Sequence, residues 1–319
     1  MAGGTSGIPG RMRRSRLRRI SACRRCFGEI VSRGAAKLDS LFEHSGGRYG
    51  HICGQVDPRQ LTDLEVMLEQ AQMLHSLRPN VMIKMPATKE GIVGIGQLAA
   101  RGIATTTTLC FSVAQLIATA EAAREGLAQA RAKGVDLSSW RCCAALMMGR
   151  FEDHPEFDKQ AAEYGVTLTD VHRRWAGIAI ARRAYRIYQE RGYETKLLCA
   201  SMRLSPMVDG KERIWHLEKL AGADMVLTIF PNIMAALLEK YAGEELIPQI
   251  DEPVPDEILT DLLLVPYFAE AYDVDGIQPE RFIDLPGVQA TGGSFAQAMQ
   301  DIEDYCAERL AIQKNRTAG

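Results

Sequence analysis

The chain has 319 residues, 46 % of them hydrophobic and 24 % charged, with a formal net charge of −2. That length and make-up allow a full buried core and fit a soluble globular α/β barrel with additions better than one small domain. No apolar run approaches the roughly eighteen residues a membrane-spanning helix needs, and the acidic balance beyond residue 28 offers no broad attraction to nucleic acid.

The opening segment is different in kind. Arg11, Arg13, Arg14, Arg16, Arg18, Arg19, Arg24 and Arg25 all precede the first acid, Glu29. Cys23 and Cys26 form a CxxC, but no second ligand pair of suitable spacing follows, so they are expected to be incidental thiols and no metal site is expected. The other cysteines sit mostly inside apolar runs, where a thiol behaves as a small hydrophobe. With no secretory signal before them, a reducing cytoplasm is the expected setting.

Residues 26–31 (CFGEIV) are the one plausible strand before residue 50, and 35–44 reads as a helix. Apolar runs at 51–56, 81–87, 103–109, 142–148, 196–202 and 223–230 then predict strands. Helical patterns at 60–77, 90–101, 112–133, within 156–192, at 211–220 and at 233–242 separate or follow them. Such alternation predicts parallel pairing with right-handed crossovers, and the nearly unbroken apolar character of the strands predicts cover on both faces. An acidic, proline-rich surface crossing follows residue 242, and an amphipathic helix over about 294–313 is expected to pack on the outside. The organisation expected is a basic, irregular segment over 1–35, a barrel over 36–242 and a C-terminal extension over 243–319.

Lys84 stands in the strand VMIKMPA. Period-two alternation puts Val81, Ile83 and Met85 on one face and Met82 and Lys84 on the other. A lysine inside an apolar barrel loses hydration, which lowers its pKa and frees the amine to attack carbonyls. A lysine reaching the mouth as a structural ion-pair partner is the competing reading.

The stretch NVMIKMPATKEGIVGIGQLAARGIATTTTLCFSVAQLIATAEA (80–122) closely resembles the transaldolase family, including its fructose-6-phosphate aldolase branch, and weaker likeness runs from about residue 50 to about 240. The resemblance implies a TIM-type (β/α)8 barrel with a C-terminal helical extension. It implies transfer of a dihydroxyacetone unit between sugar phosphates, or direct aldol cleavage, with Lys84 forming the Schiff base. No metal or organic cofactor is then needed. Small-molecule sugar phosphates are the implied partners, with homo-oligomers common in the family and neither nucleic acid nor membrane called for.

Residue by residue, Gln55 in GQVDPR occupies the place of the carboxylate or amide that orients the catalytic water. Thr108 matches the threonine that helps hold that water, while Thr106 falls where classical transaldolases carry an asparagine for substrate hydroxyls. ALMMGR resembles the segment ending in a phosphate-side arginine, here Arg150, with Met147 where the aldolase branch has tyrosine. ASMR resembles Ala-Ser-Phe-Arg, so Ser201 and Arg203 are implied phosphate ligands, expected to share the inward face with Cys199. His154, His172 and His216 show no ligand spacing and are expected to be surface or packing residues. The family's first-strand Asp and its Thr-x-Asn-Pro motif match nothing before residue 50, and a barrel incomplete on that side is one expectation. A sugar-phosphate-binding paralogue without turnover is then the remaining alternative.

Overall fold

The computed structural model describes residues 25–243 and 245–317. Helix α1 (25–36) comes first, followed after a turn by α2 (Asp39–His44). Six strands run in one sheet: β1 (Ile52–Gln55), β2 (Val81–Pro86), β3 (Thr105–Cys110), β4 (Cys142–Met147), β5 (Lys196–Ala200) and, after a small hairpin of β6 (Met207–Val208) and β7 (Lys211–Glu212), β8 (Val226–Leu227). The order β1-β2-β3-β4-β5-β8 follows the chain, and every pairing is parallel.

Helices α3 (Leu64–His75), α4 (Lys89–Ala99) and α5 (Val113–Ala132) connect the first four strands. Between β4 and β5 lie α6 (Met148–Glu152), α7 (Pro155–Glu163) and α8 (Asp170–Arg191). Then come α9 (Trp215–Glu218), α10 (Pro231–Lys240), α11 (Asp256–Leu263), α12 (Pro266–Tyr272) and the long α13 (Pro286–Thr317). Among the described residues no helix is long and apolar enough to cross a membrane.

Each βα unit starts from local signals. Thr88 and Ser112 cap α4 and α5 by accepting the amides of Gly91 and Gln115, and Asp63 does the same for α3. These caps satisfy donors that the helix itself cannot. The outward strand face then buries against the helices: Val81, Ile83 and Met85 pack with Met67, Leu74, Ile95 and Leu98 in one core.

The six strand–helix units expected from the sequence are present as a six-stranded sheet, and eight-strand closure is not made among the described residues. The strand expected at 26–31 is instead part of α1. Phe27, Val31 and Ala35 recur every four residues and pack together, while Ile30 faces outward at 59 % exposure. That is helical spacing, so α1 also replaces the irregular structure expected up to residue 35; residues 1–24 lie outside the described residues. The helical stretch within 156–192 breaks at Gly165, whose φ of 72° ends α7. The helix expected at 211–220 shortens to α9 (Trp215–Glu218), because Lys211–Glu212 pair back on Met207–Val208 where Asp209 and Gly210 both take left-handed φ and turn the chain. The strand expected at 223–230 shrinks to Val226–Leu227.

The surface crossing after residue 242 is pinned from below. Arg182 is 5 % exposed and donates to the carbonyl oxygens of Lys219, Gln249 and Glu252. Helix α13 departs from expectation. It lies across the C-terminal ends of the strands, not outside the helical ring. Arg59, in the loop after β1, pairs with its Glu303, and Gly287 sits against the ring of Phe111, which follows β3.

Candidate active site

Lys84 lies on the inner face of the sheet, as the alternation of β2 demands, and Gln55, Lys84, Thr106 and Cys143 stand in register across four strands. The amine is half-buried. Loss of solvent pushes its pKa below the ordinary lysine value. A negative charge at Cys53 would act the other way, and the nearby Arg150 cation depresses it further. The Nζ stands 5.6 Å from the centroid of the Phe295 ring, and the guanidinium of Arg150 stands 5.6 Å from the same centroid. Phe295 of α13 therefore roofs a site whose floor is the sheet. No motif in the sequence singles out Phe295, which sits in GGSFAQ on a helix remote in the chain.

Thr106 is 4 % exposed and donates its hydroxyl to the sulfur of Met82 at 2.7 Å, with Cys53 Sγ 3.5 Å away. Its oxygen is thus already engaged within the sheet. Thr108 lies two residues nearer the C-terminal end, opposite Pro86, and is 3 % exposed. Gln115, within the stretch 80–122, has a structural task here. It is fully buried, donates to Ala87 O and Leu109 O, and accepts from Phe111 N, stitching the ends of β2 and β3 where Leu109 takes a φ of 64°.

At the other end of the site, β5 stops at Ala200 and Ser201 takes a φ of 63°. That left-handed step breaks the strand's alternation. Cys199 is accordingly not on the inward face with Ser201 and Arg203: it is fully buried, and burial beside Glu152 pushes its thiol up to about 12. Arg203 Nε donates to Asp153 Oδ2 at 2.6 Å, and its Nη1 donates to the carbonyl oxygens of Ser201 and Met202. Burial pushes Asp153 up, but the guanidinium groups of Arg203 and Arg174 outweigh it and hold the carboxyl below its usual range. Gly149 leaves the space for this. A Cβ there would come within 2.7 Å of Arg203 Cζ.

Gly149, which precedes Arg150 in α6, lies against Arg203 with no room for a side chain between them. The histidines take packing and capping roles. His154 caps α7, His172 completes the capping box of α8 with Thr169, and His216 is wholly buried between Glu152 and the amide of Arg203. Cys26 lies in α1, and Cys23 lies outside the described residues. Among the described residues no group of three or more His, Cys, Asp or Glu is arranged to hold a metal ion.

A parallel βα sheet with an inward, partly desolvated lysine and arginines toward its C-terminal end places the chain in the class of barrel-type α/β folds. Comparison with known proteins narrows this. The sequence pattern of the family described as Transaldolase/Fructose-6-phosphate aldolase matches residues 15–272, and the chain belongs to that family. It is 36 % identical over 162 residues to "Transaldolase 1" of Streptomyces avermitilis, which covers 50 % of this chain and 42 % of that one. It is 37 % identical over 155 residues to the "Transaldolase" of Mycolicibacterium paratuberculosis, covering 48 % and 41 %. With the "Transaldolase" of Thiobacillus denitrificans the identity is 31 % over 229 residues, covering 68 % and 62 %. The chain thus spans less than two thirds of each of these relatives.

Proposed function

We propose that the protein transfers a dihydroxyacetone unit from a ketose phosphate to an aldose through an imine on Lys84. One observation carries the reading: Lys84 is an inward-facing amine whose pKa is lowered by burial and by Arg150, under an aromatic roof. An amine of this kind is unprotonated often enough to attack a ketone.

In the proposed sequence the neutral Lys84 Nζ adds to the ketose carbonyl, and loss of water gives the imine. The imine accepts the electron pair as the adjacent carbon–carbon bond breaks, and the hydroxyl proton of the departing carbon passes through bound water to the imine nitrogen, releasing an aldose and leaving an enamine. The enamine attacks an acceptor aldehyde, and hydrolysis frees the new ketose and Lys84. Gln55 and Thr108 hold water beside the imine. An amide can orient water but cannot take its proton, so Gln55 positions and does not act as a base. Arg203, Ser201 and Arg150 receive the phosphate, and Thr106 borders the sugar hydroxyls.

Borohydride reduction with fructose 6-phosphate tests this. A mass adduct on Lys84, lost in Lys84→Met, is expected, and its absence at saturating ketose overturns the reading. Product formation that requires an added aldehyde distinguishes transfer from direct aldol cleavage. A second reading, sugar-phosphate binding without turnover, is favoured by a specific feature. The residue in register beside Lys84 is Gln55, an amide that cannot take up a proton as a carboxylate can. Trapped adduct without product would select it.

A further inference from the structure

We propose that the buried set Glu152, Arg174 and His216 is a positioning device that presets Arg203 as a receptor for a phosphate monoester, so that selectivity for phosphorylated over plain ketose depends on groups that never touch substrate. This rests on the assignment of Arg203 to the phosphate.

The cost of the arrangement argues for a purpose. Glu152 and His216 have fully buried side chains, and that of Arg174 is 5 % exposed. Buried ion pairs of this kind return little net stability, because each partner must give up its water. Space is nevertheless cleared for them twice. A Cβ at Gly177 of α8 would collide with the Glu152 carboxylate, and one at Gly149 would collide with the Arg203 guanidinium.

The bonding then runs in one direction. Glu152 pairs with Arg174, and its Oε1 lies 2.8 Å from His216 Nε2. His216 Nδ1 accepts the backbone N–H of Arg203 at 3.1 Å. An acceptor role for Nδ1 assigns the ring proton to Nε2, which donates to Glu152. The carboxylate thus sets the imidazole, and the imidazole sets the backbone at Arg203, two residues after the strained φ of Ser201. Asp153, next in sequence to Glu152, grips Arg203 Nε and also takes Arg174 Nη2 at 3.0 Å. One arginine therefore ties the buried carboxylate to the half-exposed one. With Nε and Nη1 engaged, Arg203 Nη2 carries no hydrogen bond among the described residues, and the side chain remains 35 % exposed. Two fixed N–H groups are left for anionic oxygens, and a preset guanidinium loses less freedom on binding.

The test uses the full chain with two readouts: calorimetric titration with inorganic phosphate, and half-saturation of the borohydride-trapped adduct by fructose 6-phosphate and by dihydroxyacetone. His216→Leu and Glu152→Gln are expected to weaken phosphate and fructose 6-phosphate about tenfold, as loss of supporting groups does elsewhere, with dihydroxyacetone changed less than about twofold. His216→Asn, whose amide oxygen can accept the Arg203 N–H, is expected to restore most of the phosphate affinity. Should both buried variants fail to fold, the half-exposed Asp153→Asn carries the test with the same selective weakening expected. Equal weakening of both ketoses overturns the proposal. So does unchanged phosphate affinity in a folded His216→Leu or Asp153→Asn, or phosphate binding by the parent chain that is absent or indifferent to Arg203→Ala. If no adduct forms with either ketose while the phosphate arm behaves as expected, the imine reading falls and this one stands.

Discussion

At Lys84 chemistry and stability pull in opposite directions. Burial and the Arg150 charge disfavour the ammonium form in the folded protein, so its pKa lies below the ordinary value of 10.5. Between the folded pKa and 10.5 the unfolded chain holds the extra proton. The stability cost is therefore complete below the folded pKa and fades as pH rises toward 10.5. Lys84→Met should abolish the trapped adduct yet raise stability at neutral pH by about 1 kcal/mol, with the gap to the parent narrowing in alkali. Chemical denaturation across that range checks both signs. Arg150→Met removes a cation that depresses the amine, so the pH at which adduct formation reaches half its maximum should move upward, whereas Arg150→Lys should leave it in place. The inward face of Lys84 was legible from three apolar residues at period two. Phe295 was not, because an aromatic among small polar residues carries no sign of the strand it will meet, and the partner of Arg203 was hidden in an acidic pair that reads as an ordinary helix end.

Among the elements, the β2–α4 unit shows how a short motif fixes a connection. Thr88 caps α4 through its hydroxyl oxygen and donates the same hydroxyl to Leu61 O at 2.6 Å. Thr88→Ala should lower stability by about 1–2 kcal/mol, read as a shift in the urea midpoint at unchanged slope. Gly91→Ala should cost more, since its Cβ would collide with the carbonyl of Pro86 and push α4 off the strand that bears the lysine. The motif IKMPATKEG was thus readable both as chemistry and as geometry. The elements misread in the sequence are those where a turn or a tertiary contact decides. CFGEIV suits a strand locally, but its apolar residues recur at four and bury as a helix. The apolar run at 223–230 keeps only two paired residues and stands at an edge of the sheet among the described residues.

For the whole molecule, an open parallel sheet implies a gradient of protection. β3 and β4 have a strand on each side, whereas β1 and β8 have one partner each among the described residues. Amides of Thr105–Cys110 and Cys142–Met147 should exchange most slowly with deuterium, and those of Ile52–Gln55 and Val226–Leu227 fastest. Equal protection across the six strands would show that both edges are covered in solution. The repeat of strand and helix was legible because each unit is local in sequence. The placement of α13 was not, because an amphipathic pattern says which side is apolar and nothing about where that side will dock. Its position has a consequence in time. Synthesis runs from the N-terminus, so the strand bearing Lys84 is made with its amine open to water, long before Phe295 exists to cover it. In an unfinished chain the amine keeps its water, and part of the burial that lowers its pKa is gained only when the last helix docks.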